Sequence, residues 1–562
     1  MQLRKNNLAK LTQRRFDVLV IGGGINGAVS AAALAGKGAS VALIDRGDFA
    51  GLTSMNSSNL AWGGIKYMET WDFALVRKLC MSRNHLMRSY PSTVQEIRFF
   101  TTLTKGFRYA PRYLLMGAWL YWLIGNGFTR TPRLLGVERI RAEEPIVETG
   151  DAAGGFEYSD AYLHDNDARF VFNFVRAALD RGCVAANYVE SLGARREAAE
   201  WIVQARNVAD GGSPFEIRAK VLVNAAGPYV DAHNVLSGQT TEHHHALSKG
   251  IHLIVDRLVE QRRVLAFFAD DGRLFFVIPM GNRTCIGTTD TPVTDAEVGV
   301  TAADIGFVLD NINKRLKLAK PLTKNDIIAT RCGVRPLAVR GDADGSRDFL
   351  QLSRKHAIEV GRRDGHISIF GGKLTDCLNV GNEVSDAVRS LGIALPYPAY
   401  KWYGEPPDSV RDEFFHQARL LDLDAMASAG ASEPLSTRLW RRYGAQALGL
   451  LDDIREDPRQ AEVLIRGTEY LRCEVAQAAR REMITTLEDF LRRRSKIALV
   501  VRKANIEASP GLAEACELLF GEQAVKKLAE YFAAPGAMPA AAPFAEAIPP
   551  GKALPAPYQE LT

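Results

Sequence analysis

The sequence predicts an α/β protein built around a Rossmann-type dinucleotide-binding domain, and three observations near its start support this prediction. Residues 17–21 are a short apolar run that ends in glycines, and a helical pattern follows as far as Gly36 and Gly38. A second apolar run then closes on Asp45. The order strand, tight turn, helix and strand is typical of the first unit of such a domain.

The glycines of the turn have the spacing of a dinucleotide fingerprint. Gly22, Gly24 and Gly27 fit the pattern G-x-G-x-x-G, which permits the turn, backbone approach to a pyrophosphate, and close helix packing. The helix that begins near Asn26 would hold the pyrophosphate, and Asp45 would accept hydrogen bonds from a ribose. A glycine-rich turn in any α/β sheet is the alternative, but the flanking strands and the acid favour dinucleotide binding.

Length and composition limit the remaining choices. A chain of 562 residues is too long for one core and should divide into about two to four domains. Seven cysteines without a C-x-x-C pair argue against disulfides and a metal site and favour a reducing compartment. The net charge of +5 is slight, and we interpret the basic run at residues 492–496 as a solvated helix face. Residues 1–15 form a basic extension without a secretory signal, so folding should begin near Phe16.

No apolar run is long enough to span a bilayer. The nearest is the aromatic-rich run at residues 113–124, which is flanked by arginines, namely Arg108, Arg112, Arg130 and Arg133. Its length suits either a buried helix or a helix in a membrane interface, where arginines reach lipid phosphates. The sequence leaves both interpretations open.

A polar, glycine-containing loop follows the second strand and carries a family resemblance. Residues 52–69 read LTSMNSSNLAWGGIKYME, and Gly63 and Gly64 allow close backbone approach to a flat group. From Ser57 and Ser58 onward the segment resembles the S-S-K-L-x-H-G-G-L-R-Y-L-E motif of the FAD-dependent glycerol-3-phosphate dehydrogenases. The resemblance implies that this loop lies against the flavin and that its basic and tyrosine side chains face the substrate.

The loop departs from the family motif at three positions. Asn59 replaces lysine, Trp62 replaces histidine and Lys66 replaces arginine, whereas Tyr67 is kept. Lysine binds phosphate as a point charge, whereas arginine offers a planar fork, so the change at Lys66 is not neutral. We expect Lys66 and Tyr67 at the substrate and Trp62 near the cofactor.

Further segments extend the resemblance through the middle of the chain. Residues 73–141 have a helical pattern, and residues 155–171 resemble the family's G-F-E-Y-S-D and D-A-R signatures. A buried strand at residues 221–224 runs into small residues, as in flavoproteins of the glutathione-reductase type. The resemblance assigns Val189, Ala226 and Gly227 to the cofactor. Because a second fingerprint for a nicotinamide is missing, we expect one dinucleotide, FAD.

Two histidine-containing segments lie in the next, strand-like region. Residues 249–252 resemble the family's K-G-x-H segment, which makes His252 the candidate base, although a structural histidine is the alternative. Residues 243–245 are three consecutive histidines without a nearby carboxylate or cysteine cluster. We therefore expect an exposed polar loop there and no metal site.

The last motifs supply the remaining cations and a second glycine turn. Residues 331–337 match the family's G-V-R-P-L, which implies that Arg335 contacts substrate, and Arg354 aligns with a second family arginine. Residues 368–375 resemble F-G-G-K-[LW]-T and lack the first glycine of a P-loop. In the family this helix start faces the flavin pyrimidine edge, where its positive potential stabilises reduced flavin. We assign cofactor contacts to the residues of this turn, Gly372, Lys373, Leu374 and Thr375, with Lys373 also at the substrate.

These segments give a domain prediction. An FAD-binding domain would comprise residues 16–85, 150–235 and 330–390, with an inserted α+β substrate domain at residues 86–149 and 236–329. A C-terminal helical domain would span residues 391–532. Ala and Pro dominate residues 533–562, which predicts a disordered tail.

The resemblance implies oxidation of sn-glycerol 3-phosphate to dihydroxyacetone phosphate, with hydride transfer to flavin N5 and electrons passed to quinone. Arg335 and Lys373 would act in catalysis beside His252. We expect a cytoplasmic protein bound peripherally to the inner face of the membrane, with no nucleic-acid partner, and a homodimer stays open. Two alternatives remain: a flavin dehydrogenase or oxidase for another hydroxy acid or amino acid, and a non-catalytic flavin-binding homologue.

Overall fold

The computed structural model describes residues 2–341, 355–427 and 431–533. It contains an eight-stranded sheet, here sheet A, and a ten-stranded sheet, here sheet B, followed by a helical C-terminal part. The strands are β1 Arg15–Ile21, β2 Val41–Ile44, β3 Leu60–Ala61, β4 Val94–Thr104, β5 Arg133–Leu135, β6 Ala152–Leu163, β7 Val184–Ala186, β8 Val189–Glu197, β9 Glu200–Asn207, β10 Phe215–Asn224, β11 His243–Asp256, β12 Arg263–Phe268, β13 Leu274–Met280, β14 Arg283–Gly287, β15 Thr291–Val293, β16 Ala329–Arg340, β17 Ala357–Gly361 and β18 His366–Phe370.

The helices fill the spaces around the two sheets. They are α1 Gln2–Gln13, α2 Ile25–Gly36, α3 Phe73–Ser89, α4 Pro111–Ile124, α5 Val137–Glu143, α6 Asp167–Leu179, α7 Val230–Leu236, α8 Ala302–Arg315, α9 Cys377–Ser390, α10 Asp408–Leu420, α11 Leu435–Tyr443, α12 Ala447–Glu456, α13 Arg472–Arg481, α14 Ile497–Val500, α15 Lys503–Glu507, α16 Leu512–Phe520 and α17 Ala524–Ala533. The predicted α/β class with a helical C-terminal domain is confirmed.

Sheet A is the dinucleotide-binding sheet. Its central order is β17, β18, β10, β1, β2 and β7, and β1 pairs in parallel with both β2 and β10. All four residues of β2 are buried, as expected for a parallel strand that is covered on both faces. Helices α2, α6 and α9 pack in the same hydrophobic core as β1 and β2. This arrangement brings the carboxyl ends of β1, β2 and β10 to one edge.

Sheet B is mainly antiparallel, and it contains two of the predicted catalytic residues, His252 in β11 and Arg335 in β16. Strands β11 and β16 pair over twelve residues, from His243 opposite Arg340 to Ile254 opposite Ala329. Strands β3, β6 and β16 belong to sheet B, although the domain prediction assigns their residues to the FAD-binding domain, and the predicted domain boundaries stay predictions. The helical interpretation of residues 73–141 is also wrong for residues 94–104, which form β4. Most of β4 is buried between β6 and β12, and this burial decides its structure.

The N-terminal segment is folded, contrary to the expectation that the fold begins near Phe16. Residues 2–13 form α1, in which Leu11 is fully buried. Asn7 Nδ2 donates to the Ala185 carbonyl at 2.8 Å, and Arg4 Nη2 donates to the Asn187 carbonyl at 2.9 Å. These contacts hold α1 against the end of β7. The backbone acceptors belong to a distant part of the chain, so the sequence alone does not reveal them.

The basic run at residues 492–496 is buried, so its interpretation as a solvated helix face is wrong. Arg492, Arg493 and Arg494 lie in a π-helical turn, Asp489–Arg494, and are each at most 6% exposed. Arg493 and Arg494 form ion pairs with Asp48 of the dinucleotide-binding domain. The predicted tail begins at Ala533, the last residue of α17, and residues 534–562 lie outside the described residues.

Helix α4 carries apolar side chains on its exposed face as well as on its buried one. Ala118 and Tyr121 are buried, whereas a stripe of large apolar side chains is exposed, namely Tyr113, Met116, Leu120 and Leu123. Met116 is 68% exposed and Leu123 is 60% exposed. Among the described residues, no helix has the length and apolar character needed to cross a membrane.

Candidate active site

The fingerprint turn packs tightly except at its second glycine. A Cβ at Gly22, whose φ is +101°, would lie 2.4 Å from the Ala225 carbonyl oxygen, and one at Gly27 would lie 1.7 Å from the Gly22 oxygen. A Cβ at Gly24 would meet only Ser54 Oγ, at 3.1 Å. Gly22 and Gly27 therefore shape the turn, whereas Gly24 borders an open cradle at the N-terminus of α2.

Asp45 lies where the sequence predicts the ribose-binding acid. Its carboxylate accepts hydrogen bonds from the Gly23 N–H at 2.5 Å and the Gly47 N–H at 2.8 Å. Burial is the largest influence and raises the pKa of Asp45 to about 6, although the two backbone donors oppose it. The Val189 N–H donates to the Asp45 carbonyl at 2.7 Å, so the predicted cofactor residue at the start of β8 adjoins the acid.

The second glycine turn meets the fingerprint helix. Asn26 Nδ2 donates to the Gly371 carbonyl at 2.9 Å, and a Cβ at Gly372, whose φ is +116°, would lie 3.1 Å from Asn26 Oδ1. Ala226 and Gly227 follow β10, and the preceding Ala225 packs on Gly22. Residues of β1, β10 and β18 thus surround one cradle, whose open Gly24 and half-buried acid fit the pyrophosphate and ribose of a dinucleotide.

The serine-rich loop connects this cradle to sheet B. Ser54 Oγ accepts the Ile25 N–H at 3.0 Å, so the loop covers the start of α2. Ser57 donates its N–H and its hydroxyl to Asp167 Oδ2, each at 2.8 Å, and this places its side chain on α6. Ser58 Oγ lies 2.8 Å from His252 Nε2. The cofactor roles of Ser57 and Ser58 stay predictions.

His252 is buried in β11 and is 1% exposed. Burial, and then the nearby charges of Arg331 and Arg335, hold the pKa of His252 well below its ordinary value. The imidazole is therefore neutral at pH 7 and has a lone pair that can accept a proton. Its Nδ1 atom has no hydrogen-bond partner among the described residues. The base role of His252 stays a prediction, and a neutral imidazole is compatible with it.

Asn59, one of the three departures from the family motif, is a structural residue. Its φ is +57°, a region that asparagine adopts more readily than lysine does. Its Nδ2 donates to the Leu163 carbonyl at 3.3 Å and to the Asp165 carbonyl at 2.7 Å. Its Oδ1 accepts from Arg331 Nη1 at 2.6 Å. Because these bonds occupy the whole amide, the change at Asn59 carries no information about the substrate.

The other two departures lie beside Lys373. The Lys373 ammonium is 4.4 Å from the centroid of the Tyr67 ring and 5.7 Å from that of the Trp62 ring. Trp62 Nε1 donates to Tyr158 Oη at 3.2 Å, and Thr375 Oγ1 donates to the Trp62 carbonyl at 3.4 Å. Lys66 and Leu374 are the chain neighbours of Tyr67 and Lys373 and are partly buried. The structure therefore brings together the loop and the second glycine turn.

The two glycines of the loop approach protein aromatic rings. A Cβ at Gly63 would lie 2.2 Å from Tyr121 Oη, and one at Gly64, whose φ is +82°, would lie 2.7 Å from the Tyr67 ring. The flat groups that we expected beside these glycines therefore include tyrosine side chains of the protein itself. Their predicted cofactor role stays a prediction.

Arg335 lies on β16 and is 24% exposed at its side chain. A Cβ at Gly250 would lie 2.2 Å from the guanidinium, so that glycine makes room for it. Arg335 Nη1 is 3.2 Å from Asp290 Oδ1, and Nη2 donates to Thr288 Oγ1 at 2.8 Å. Any substrate anion would share Arg335 with Asp290. Arg354 lies outside the described residues.

Sequence reasoning missed two residues that shape this site. Arg331 Nη1 donates to the Ser57 carbonyl as well as to Asn59, and thereby fixes the loop that holds Ser58. Arg331 belongs to the motif RCGVRPL, which also contains Arg335, and its position two residues before Gly333 in that motif was the available signal.

The second missed residue is His245, and the expectation of an exposed polar loop at residues 243–245 is wrong. These residues begin β11. His245 Nδ1 donates to Asp231 Oδ2 at 2.9 Å, and Nε2 accepts the Gly371 N–H at 2.9 Å. His243 Nδ1 is 2.6 Å from Glu359 Oε1. The carboxylates come from distant segments, so the local sequence gave no sign of them.

Comparison with known proteins confirms the family. Residues 17–372 match the family model described as FAD dependent oxidoreductase, and residues 413–525 match the C-terminal domain of alpha-glycerophosphate oxidase. Glycerol-3-phosphate dehydrogenase 2 of Mycobacterium tuberculosis is 31% identical over 542 residues, which cover 93% of this chain and 88% of that protein.

A relative named for another substrate is nearly as similar to this chain, and one solved structure also matches it. D-erythritol 1-phosphate dehydrogenase of Brucella abortus is 30% identical over 87% of this chain and 95% of that protein. The structure of the glycerol-3-phosphate dehydrogenase from Bacillus halodurans complexed with FAD has a TM-score of 0.71 and 24% identity, covers 94% of this chain and 96% of that one, and shares the fold. Since the first family model spans more than half of the sequence, the chain belongs to the FAD-dependent oxidoreductases of the glycerol-3-phosphate dehydrogenase family, and its cofactor is FAD.

Proposed function

We propose that this protein oxidises the secondary alcohol of a small phosphorylated polyol, with sn-glycerol 3-phosphate as the first candidate and dihydroxyacetone phosphate as its product. One observation carries the proposal: residues 58–67 run from the Ser58 contact with His252 to the Tyr67 contact with Lys373. This loop thus joins a neutral imidazole to a cationic side chain. Oxidation of a phosphorylated alcohol needs a base for the alcohol proton and cations for the phosphate, and this loop contacts a candidate for each.

The anion site would consist of Lys66, Lys373 and Arg335. Ammonium and guanidinium groups bind phosphate oxygens through charge-assisted hydrogen bonds. Lys373 is held at the faces of two aromatic rings, and Arg335 is fixed by Asp290 and Thr288. Because these partners restrict both cations before the substrate arrives, less conformational entropy is lost on binding.

His252 would accept the alcohol proton. When its Nε2–H donates to Ser58 Oγ, the lone pair that would take the proton is on Nδ1, which is buried and has no hydrogen-bond partner among the described residues. FAD supplies the hydride acceptor at N5, and Gly24, Asp45 and the turn at Gly371–Gly372 would hold it. A phosphate bound near Arg335 would offset part of the positive potential that lowers the pKa of His252.

D-erythritol 1-phosphate is the second candidate, and Trp62 with Lys66 is the observation that favours it. The family motif has histidine and arginine at these positions, so the substrate pocket here would differ from that of the glycerol-3-phosphate enzymes. A relative named for D-erythritol 1-phosphate is nearly as similar as the glycerol-3-phosphate relatives. Both candidates are polyol phosphates, so the reaction class is the same for each.

Anaerobic titration of the FAD-loaded protein tests this assignment. Glycerol 3-phosphate, D-erythritol 1-phosphate, a 2-hydroxy acid and an N-methyl amino acid are added in turn, and bleaching of the flavin band near about 450 nm is followed. Bleaching by a polyol phosphate alone supports the proposal. Bleaching by the hydroxy acid or the amino acid alone contradicts it, and a flavin that no donor bleaches identifies a non-catalytic homologue.

The exposed stripe of α4 supports a membrane partner and, with it, a quinone acceptor. Four large apolar side chains share one face of α4, and exposed arginines at both ends, Arg108 and Arg130, flank it. Such a helix lies in the plane of a membrane interface, with its apolar face among the acyl chains and its arginines at lipid phosphates. Peripheral attachment of this kind would bring the protein to a membrane quinone.

A further inference from the structure

The arginine turn, residues Asp489–Arg494, places three consecutive buried arginines in the C-terminal domain. Arg494 is 2% exposed, and Arg492 and Arg493 are 6% and 4% exposed. Burying a guanidinium is unfavourable unless its charge is paired and its N–H groups are bonded. The partners of these arginines therefore indicate what the arginine turn does.

Arg493 and Arg494 both bind Asp48, which follows the ribose-binding acid by three residues. Arg494 Nη1 and Nη2 donate to the two Asp48 oxygens, each at 2.8 Å, and Arg493 Nε donates to Oδ2 at 2.7 Å. Asn187 Nδ2 donates to Asp48 at 2.8 Å. Although burial raises the pKa of Asp48, Arg494 and Arg493 hold it below its ordinary value. Asp48 is thus charged, and two arginines of the C-terminal domain bind its carboxylate.

Arg492 has no ion-pair partner among the described residues, and it bonds the loop instead. Its Nη2 donates to the Met55 carbonyl at 2.5 Å and to Asn56 Oδ1 at 3.0 Å. Burial is the main reason that its pKa falls to about 10. A buried arginine without a carboxylate is rare in proteins, so its two bonds to residues 55 and 56 need an explanation beyond domain stability.

The loop that these arginines hold is one wall of the cofactor cradle. Within residues 48–56, the Ala50 N–H donates to the Gly23 carbonyl at 2.9 Å, and Ser54 Oγ accepts the Ile25 N–H at 3.0 Å. Ser54 Oγ is also the atom that a Cβ at Gly24 would meet. We propose that the arginine turn is a cofactor-retaining element: it fixes the loop of residues 48–56 against the N-terminus of α2 and so slows the release of FAD.

Other buried arginines of the same domain do not contact the loop and provide the matched control. Arg438 Nη2 is 2.9 Å from Glu474 Oε2, and its side chain is 5% exposed. Both partners lie within the C-terminal domain. The substitution Arg438→Met removes a buried guanidinium of the same size as Arg492→Met removes, and it leaves every contact with residues 48–56 in place.

The test compares FAD release from purified holoenzyme variants. The protein is diluted into buffer with an excess of an FAD-specific apoflavoenzyme as scavenger, and the rate of FAD loss is followed by the change in flavin fluorescence. Arg492→Met should release FAD roughly ten- to hundredfold faster than wild type, as expected for the loss of charge-assisted hydrogen bonds to the loop. Arg492→Lys, which can keep one of the two bonds, should fall between the two, and Arg438→Met should match wild type.

Thermal unfolding of the apo forms separates retention from general stability. We expect the midpoints of apo Arg492→Met and apo Arg438→Met to be lowered to a similar extent, while only the first releases FAD rapidly. Equal release rates for wild type and Arg492→Met would overturn the proposal, as would equally fast release from Arg438→Met. If Arg492→Met does not fold, the intermediate rate expected of Arg492→Lys decides the question in the same way.

Discussion

Ser58 Oγ and His252 Nε2 lie 2.8 Å apart, although the serine belongs to the loop after the dinucleotide-binding unit and the histidine to sheet B. This contact orients the imidazole, whose Nδ1 is buried and has no hydrogen-bond partner among the described residues. We expect His252→Asn to lower turnover by about 10²- to 10⁴-fold with unchanged FAD content, because a general base is lost.

The acid limb of the wild-type pH profile should lie below about 6.5, since burial and two arginines lower the pKa of His252. Steady-state kinetics from pH 5 to 9 and the flavin absorbance provide both measurements, and undiminished turnover in His252→Asn would exclude it as the base.

The cradle at Gly24 predicts a specific loss of cofactor. Gly24→Val would place a branched side chain in the pyrophosphate path, where only Ser54 Oγ now lies nearby, and should give nearly colourless protein. Gly306→Val in α8 is the control, because a Cβ there meets nothing within 4 Å among the described residues. The absorbance ratio of flavin to protein is the measurement. A yellow, fully loaded Gly24→Val protein would show that the pyrophosphate lies elsewhere.

The anion site predicts losses in efficiency without loss of flavin. Lys373→Ala and Arg335→Ala should each lower kcat/KM by roughly 30- to 1,000-fold, since about 2 to 4 kcal/mol of transition-state stabilisation is removed. Trp62→His combined with Lys66→Arg should raise activity with glycerol 3-phosphate, because the fork and the imidazole of the family motif return. The two single variants are the controls, because Trp62→His restores only the imidazole and Lys66→Arg only the fork, and each should give a smaller gain than the double variant. If the double variant stays inert with glycerol 3-phosphate while a non-phosphorylated hydroxy acid reduces wild type, the anion is not a phosphate.

The exposed stripe of α4 predicts salt-sensitive membrane binding. Wild type should sediment with anionic liposomes at low ionic strength and much less at high, because exposed arginines are screened. Met116→Glu with Leu123→Glu should abolish sedimentation, whereas Leu420→Glu, at an apolar side chain of α10 that is 70% exposed, should not. If wild-type protein stays in the supernatant at both salt concentrations, the proposed membrane attachment through α4 is contradicted.

Two buried neutral histidines predict that stability falls in acid. Burial lowers the pKa of His233 to about 4 and that of His366 to about 3, from an ordinary 6.5. The unfolded chain therefore binds protons first, and the free energy of unfolding should decrease as the pH falls below 6.5, by about 3 kcal/mol for His233 once pH 4 is reached. Urea unfolding at several pH values measures this. His233→Gln should remove about 3 kcal/mol of the decrease between pH 6.5 and 4 and leave the part due to His366. The exposed His244→Gln should not change the dependence, and identical slopes for all three proteins would show that His233 is not a cause.

The parts that could be predicted from the sequence are those whose physics is local. The spacing of Gly22, Gly24 and Gly27 follows from the turn itself, so both the turn and its acid, Asp45, were found. Burial of charged groups depends on distant partners. Arg494 is interpreted as solvated until Asp48 is known to lie beside it, and His245 as exposed until Asp231 and Gly371 are placed. Likewise β4 has no local signal strong enough to reveal that two neighbouring strands enclose it.

The ion pair between Asp48 and Arg494 also bears on the order in which the protein is made. A ribosome releases Asp48 early and Arg494 more than four hundred residues later, so the wall of the cradle lacks its last support through most of synthesis. Domains emerge and fold from the N-terminus first, and pairings that join distant segments form last. We therefore expect nascent chains that end before residue 489 to hold the flavin weakly, and cofactor uptake to coincide with the completion of the polypeptide.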